Sequence, residues 1–161
     1  MNKFTILCFT AVLLIGFVAY KYYYQRHIIL GAWTEGLYDP TTKRLQVEKL
    51  EQFEDLAHKK VTIAHYYRGW EALAESDLIT EFDSLRAHNW VPMINVNPYF
   101  FSECTSQKKS IYKAIADGDC DSFLRRAGKN LSTIKKPFYL LFAWEMNNPQ
   151  VEWSLKYTGS T

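Results

Sequence analysis

Lys136-Pro137-Phe138-Tyr139-Leu140-Leu141-Phe142-Ala143-Trp144-Glu145-Met146-Asn147-Asn148 is the stretch on which the reading of this chain turns. From Phe138 to Trp144 it runs through seven consecutive apolar or aromatic residues, then stops on a carboxylate. A run of that kind predicts a strand buried on both faces. Such strands belong to parallel sheets, which place reacting groups at the C-terminal ends of their strands. Glu145 sits at such an end. An isolated glutamate there can equally open a plain polar loop, so the rest of the chain has to decide.

Upstream the same unit recurs. His27 to Trp33 is a short apolar run that meets Glu35-Gly36, and Val61 to Tyr67 is a second, ending in Arg68-Gly69-Trp70. Val91 to Val96 is a third, with Pro92 near its start, where a strand tolerates proline. Between the runs lie helical patterns. Leu45, Val47, Leu50, Phe53, Leu56 and Ala57 recur at three- and four-residue spacing after Pro40. Ser76 is placed to cap a second helix carrying Leu78, Ile79, Phe82 and Leu85. Two further pieces, Lys109 to Ala116 and Cys120 to Leu131, break at Asp117-Gly118-Asp119. The order β-α-β-α-β-α-β predicts an α/β fold with a parallel sheet wrapped by helices.

Two architectures share that order. A doubly wound nucleotide-binding sheet needs a glycine-rich turn after its first strand, and Trp33-Thr34-Glu35-Gly36-Leu37 contains neither GxGxxG nor a P-loop. A (β/α)8 TIM barrel fits the aromatic and polar strand ends better: Trp33, Tyr66, Tyr67, Trp70, Asn95, Asn97, Tyr99, Trp144. The expected fold is therefore the first four β/α units of such a barrel, incomplete on its own, since a whole one takes about eight strands. Unpaired sheet edges then predict poor solubility or dimerisation.

Composition narrows the function. Aromatic residues make up 16% of the 161, which favours a surface that stacks flat ligands or sugar rings, although an aromatic core would also account for it. The formal charge of +2, without a basic stripe, argues against nucleic acid as a partner. The four histidines are scattered singly and no CxxC is present, so neither a metal nor a cofactor is expected. Of the three cysteines, Cys8 lies in the hydrophobic N-terminus, leaving Cys104 and Cys120 free to pair if the domain is exported.

Phe4 to Tyr20 is a nearly unbroken apolar run of about 17 residues, at the lower limit for crossing a bilayer and the upper end for a signal peptide. It ends without an Ala-x-Ala cleavage pattern and meets Lys21-Tyr22-Tyr23-Tyr24-Gln25-Arg26, a composition suited to the headgroup layer. Residues 1–26 are expected to be an uncleaved signal anchor or a signal peptide, and residues 27–161 the exported domain, held at the membrane through this helix or secreted.

Three places in the domain give it a resemblance. Ile115-Ala116-Asp117-Gly118-Asp119-Cys120-Asp121 precedes the last strand, Glu145-Met146-Asn147 ends it, and Trp153 follows. From about Leu30 to Trp153 the chain resembles the N-terminal half of glycoside hydrolase family 26, the retaining β-mannanase-type enzymes. The resemblance implies Glu145 as the general acid/base, protonating the leaving glycosidic oxygen and later deprotonating water. That role asks for a carboxyl in an apolar, partly desolvated setting, which Phe142, Trp144 and Met146 are placed to supply. The partner nucleophile, about 5 Å away in a retaining site, comes in that family from a late barrel strand; it lies beyond this chain, which alone is expected to be inactive. The family has histidine where Trp144 stands and glycine where Asn148 stands.

Trp70 and Trp153 are the expected sugar platforms, Asn95 and Asn147 the expected hydrogen-bonding partners, and Trp144 a further contact. The substrate class implied is a β-linked oligo- or polysaccharide, mannan by default, with β-1,3-xylan or mixed-linkage glucan as alternatives. A non-catalytic carbohydrate-binding remnant, or a small membrane-anchored α/β protein, would carry the same pattern.

Overall fold

The computed structural model describes residues 12–21, 23, 29–98, 103–104, 111–151 and 153–154. The chain divides into two units, Met1–Leu30 and Gly31–Thr161. In the first, residues 12–21 form helix α1, whose Val12, Leu13, Leu14, Ile15, Phe17 and Val18 are all exposed. No helix among the described residues is long and apolar enough to cross a membrane. Most of the expected anchor, and His27 and Ile28 of the expected first strand, lie outside the described residues.

The second unit is α/β. Its elements in order are β1 (Gly31–Ala32), β2 (Tyr38–Asp39), β3 (Arg44–Leu45), α2 (Val47–Ala57) and β4 (Ile63–Gly69). A 3₁₀ turn (Trp70–Ala74), α3 (Asp77–Ala87), β5 (Val91–Asn97), α4 (Ile111–Ala116), α5 (Asp121–Leu131) and β6 (Tyr139–Phe142) complete it. The main sheet has four strands in the order β1-β4-β5-β6, every pair parallel. The order follows the chain without reversal, so these strands contain no switch point of the doubly wound kind. The short β2–β3 hairpin, absent from the sequence reading, is a separate antiparallel pair inside the β1–α2 connection.

Alternation along the strands divides the sheet into two unlike faces. Ala64, Tyr66 and Arg68 of β4, with Pro92, Ile94 and Val96 of β5, are buried on the side that carries the helices. There the Tyr66 hydroxyl donates to Glu81 of α3 at 2.9 Å. Arg68 pairs with Glu81 and, at 2.8 Å, with Glu75, and its guanidinium lies 4.3 Å from the Tyr38 ring of the hairpin. Phe82 packs on Phe138, and Arg86 donates to the Lys136 carbonyl at 3.0 Å, so α3 positions the entry to β6. The opposite face carries Ile63, His65, Tyr67, Met93 and Tyr139, which are half-buried or exposed. The β6 edge leaves Tyr139 51%, Leu140 40% and Phe142 41% exposed, more than a strand buried on both faces would allow.

Two details of the helices differ from the sequence pattern. In α2 the residue four after buried Leu50 is Glu54, and it is Glu54 that is buried, whereas Leu56 is 84% exposed. Glu54 accepts from Lys60 at 2.5 Å, the Val61 N–H at 2.8 Å and the Trp90 indole at 3.0 Å. Burial works against its charge, but these hydrogen bonds outweigh it and hold the carboxyl below its ordinary value. Ser76 precedes α3 with helical dihedrals and makes no side-chain cap.

The Gly118 segment is a structural joint. Gly118 has φ of +85°, a left-handed conformation that ends α4, and Cys120 just before α5 is disulfide-bonded to Cys104. Asn130, within a glycosylation-type Asn-Leu-Ser, spends its amide on the Leu73 and Glu75 carbonyls at 2.9 and 2.8 Å, which ties α5 to the 3₁₀ turn.

Candidate functional site

Parallel strands bring their C-terminal ends to one edge of the sheet, and on the open face those ends are aromatic. Trp33, one residue past β1, meets Tyr67 of β4 edge-on with ring centroids 6.1 Å apart. Tyr67 meets Trp144 at 5.4 Å, and Trp144 meets Trp153 at 5.5 Å, both edge-to-face. Four rings from four chain segments thus form one row across the strand ends. The indole N–H of Trp144 donates to the Asn97 side-chain oxygen at the tip of β5, and that of Trp153 donates to the Trp144 carbonyl at 2.6 Å. Trp144, standing where a histidine is expected, therefore keeps one polar contact, as a donor. Trp33 is 53% exposed and Trp153 only 8%, so the row is open at its β1 end and anchored at the other.

Glu145 stands beside the row on backbone that L-residues rarely adopt. Ala143 and Glu145 have φ of 54° and 52°, a left-handed pair that costs energy and persists where the surroundings enforce it. The local enforcers are the Ala143 N–H, which donates to the Val96 carbonyl at 3.2 Å, and the Asn148 N–H, which donates to the Glu145 carbonyl at 2.7 Å. Asn148, where the family has glycine, does not take a left-handed angle; its side-chain amide donates to the Glu145 carboxylate at 2.8 Å. The carboxylate is exposed to solvent. Phe142 turns toward Trp70 on the helix side and Met146 is 45% exposed, so the apolar enclosure expected around Glu145 is not formed.

The other expected site residues separate. Trp70 is corrected from sugar platform to core: it is fully buried, 5.0 Å from Phe123 of α5 and 6.1 Å from Phe142. Trp153 is a buttress rather than a platform, its ring covered and its indole N–H used to hold Trp144. Asn147 is exposed in the loop after Glu145. Asn95 faces the open side directly beside Tyr67, its register partner on β4, and is 4% exposed. Glu103, not expected at the site, pairs with Arg126.

Trp33, Tyr67 and Asn97, which the sequence marks only as strand ends, join the site, and His65, read from the sequence as a scattered histidine, stands with them. Parity finds them: counting by twos from Asn95 gives Asn97 on β5 and, through the pairing, Tyr67 and His65 on β4. The same count puts Tyr66 on the helix side. Among the described residues no group of histidine, cysteine or acidic side chains is arranged to hold a metal. Compared with known protein families, curated proteins and solved structures, the chain matches none.

Proposed function

We propose that this domain is the N-terminal half of a (β/α)8 glycoside hydrolase of the family 26, β-mannanase type, acting outside the cytoplasm on a β-linked polysaccharide. The observation that carries the reading is the aromatic row Trp33-Tyr67-Trp144-Trp153 at the C-terminal strand ends, with Glu145 at its margin. Indole and phenol rings stack on the C–H faces of pyranoses, and a barrel enzyme gathers its reacting groups at that edge of the sheet. The unreversed strand order, with helices on one face and an open face opposite, is what four consecutive units of a barrel would have. The Cys104–Cys120 disulfide supports an oxidising compartment, and the apolar N-terminal stretch supports export with anchoring at the membrane.

Glu145 serves as acid/base in this reading, and the nucleophile belongs to a later strand of the completed barrel. Closure by those strands is what would desolvate the carboxyl. A second reading, carbohydrate binding without catalysis, is favoured by one observation: Glu145 is exposed and held by Asn148 rather than enclosed.

Titration of β-1,4-mannohexaose into the chain separates both from a small α/β protein with no sugar role. A saturable change in tryptophan fluorescence is expected; none at millimolar ligand removes the carbohydrate reading. In a polypeptide carrying the remaining β/α units, Glu145→Gln is expected to lower turnover of unactivated mannan by about 10²–10⁴-fold with binding retained. Unchanged turnover takes Glu145 out of the chemistry.

A further inference from the structure

We infer that His65 and Asn95 form a polar floor beside the aromatic row and together hold one hydroxyl group of a bound pyranoside. The inference rests on the carbohydrate reading and adds to it the group that recognises the sugar's edge rather than its face.

His65 and Tyr67 follow each other at the two-residue period of β4, and their rings lie 4.9 Å apart. Asn95 of β5 is the register partner of Tyr67, so all three side chains share the open face. His65 lies on the N-terminal side of Tyr67, and Asn95 is level with Tyr67 on the neighbouring strand. Asn95 is 96% buried by its 4% exposure, yet its side-chain oxygen has no hydrogen-bond partner, and neither has the buried Nε2 of His65. Burial lowers the His65 pKa and a hydrogen-bonding contact with Asn95 partly offsets it, but neither the Asn95 oxygen nor His65 Nε2 has a partner at full hydrogen-bond geometry.

Buried polar atoms without partners are uncommon in folded proteins and costly to keep. Among the described residues the buried charged side chains Glu54, Glu81 and Arg68 are hydrogen-bonded, whereas the Thr34 and Ser154 hydroxyls are buried without a partner, as the two floor atoms are. A hydroxyl group suits the vacant pair because it donates and accepts at one atom. Its hydrogen would go to the Asn95 oxygen, an obligate acceptor, and its oxygen would take the proton of neutral His65 at Nε2. A carboxylate or phosphate would meet the asparagine oxygen with like partial charge. An apolar ligand would leave both atoms unpaired. The stacking row supplies the flat contact a pyranose ring needs, so face and edge are read by different side chains.

The test is isothermal titration of β-1,4-mannohexaose into the whole chain and into Asn95→Leu, His65→Leu and His65→Gln, with thermal unfolding of each. Asn95→Leu and His65→Leu are expected to weaken binding about tenfold, the loss of one neutral hydrogen bond. Neither should lower the unfolding temperature, since each removes an unpaired buried atom. His65→Gln, which restores a donor at similar reach, is expected to recover most of the affinity. If the wild-type chain binds and the leucine variants bind equally well, the floor is wrong and the carbohydrate reading stands. If the leucine variants unfold at markedly lower temperature and His65→Gln rescues stability but not affinity, the pair is structural and the inference is overturned. If the wild-type chain does not bind, the carbohydrate reading falls and takes this floor with it.

Discussion

The two faces of the sheet are built from alternate residues of the same strands and have opposite characters. On the helix side a cluster of strong polar groups answers itself: Tyr66 and Arg68 converge on Glu81, Arg68 reaches Glu75, and Tyr38 covers the guanidinium. One residue along, on the open side, His65 and Asn95 have unanswered atoms and Trp33 stands half in solvent. A face that closes its own hydrogen bonds is spending its residues on folding. A face that leaves them open, beside a row of aromatic rings, is on the proposed reading the one that receives a ligand. Substitutions on the two sides should therefore move different observables.

The largest effect belongs to the helix side. Glu81→Ala leaves Arg68, which is 7% exposed, with only the partly exposed Glu75 and takes the acceptor from the buried Tyr66 hydroxyl. Removing one partner of a buried ion pair costs about 3–5 kcal/mol, a large share of a domain's stability. Urea unfolding should show it as a lower midpoint. Replacing Arg68 and Glu81 together by Met and Leu should recover most of the loss, because the expense lies in the unpaired charge. A single variant as stable as wild type would break the contrast between the faces, since the cluster would then be idle.

Glu54 gives a smaller effect with a pH signature. Its folded-state pKa lies below its ordinary value, so the stability it contributes is fully present above the unfolded value of about 4.3. That contribution is lost as the pH falls through the lower folded value. Glu54→Gln is expected to cost about 1–2 kcal/mol at neutral pH and to converge on wild type in acid. Parallel stability curves for the two proteins down to pH 3 or so would show that Lys60, Val61 and Trp90 do not sense the charge.

Much of this was legible in the sequence, for identifiable reasons. The strand-helix alternation is set by apolar period, which is why Val61 to Tyr67 and Val91 to Val96 fall within or beside observed strands. Setting Cys8 apart left Cys104 and Cys120 as the two that could pair on export, and the structure joins them. Side-chain direction at the strand ends was not read: Trp70 keeps the alternation of Tyr66 and Arg68 through the extended Gly69, whereas the left-handed Ala143 breaks it. Trp70 lies just past Gly69 and turns into the core, whereas Trp144 lies just past Ala143 and turns to the open face. Composition cannot distinguish two such tryptophans; backbone parity can. The β2–β3 hairpin escaped notice because each strand has two residues, too few to show a period. Glu54 escaped for the opposite reason. Its helix does show a period, but a carboxylate occupies the apolar slot, and the partners that make that tolerable come from Lys60, Val61 and Trp90.

The sharpest test of the open face is the substitution expected to do least to the fold. Trp33 is 53% exposed and touches the row through Tyr67 alone among the described ring contacts. Trp33→Ala should change unfolding free energy by no more than about 0.5 kcal/mol, as for other surface sites. Its ring is nevertheless the most accessible in the row, and removing a stacking face from a sugar site should weaken mannohexaose binding about tenfold, since an aromatic contact contributes on the order of 1–3 kcal/mol. Trp70→Ala should do the reverse, costing about 3–5 kcal/mol of stability through the cavity left against Phe123 and Phe142. If Trp33→Ala destabilises the domain as much as Trp70→Ala, the open face is core awaiting burial and the aromatic row is packing. If it leaves stability alone and removes binding, two tryptophans within one short sheet divide the work of folding and recognition between them.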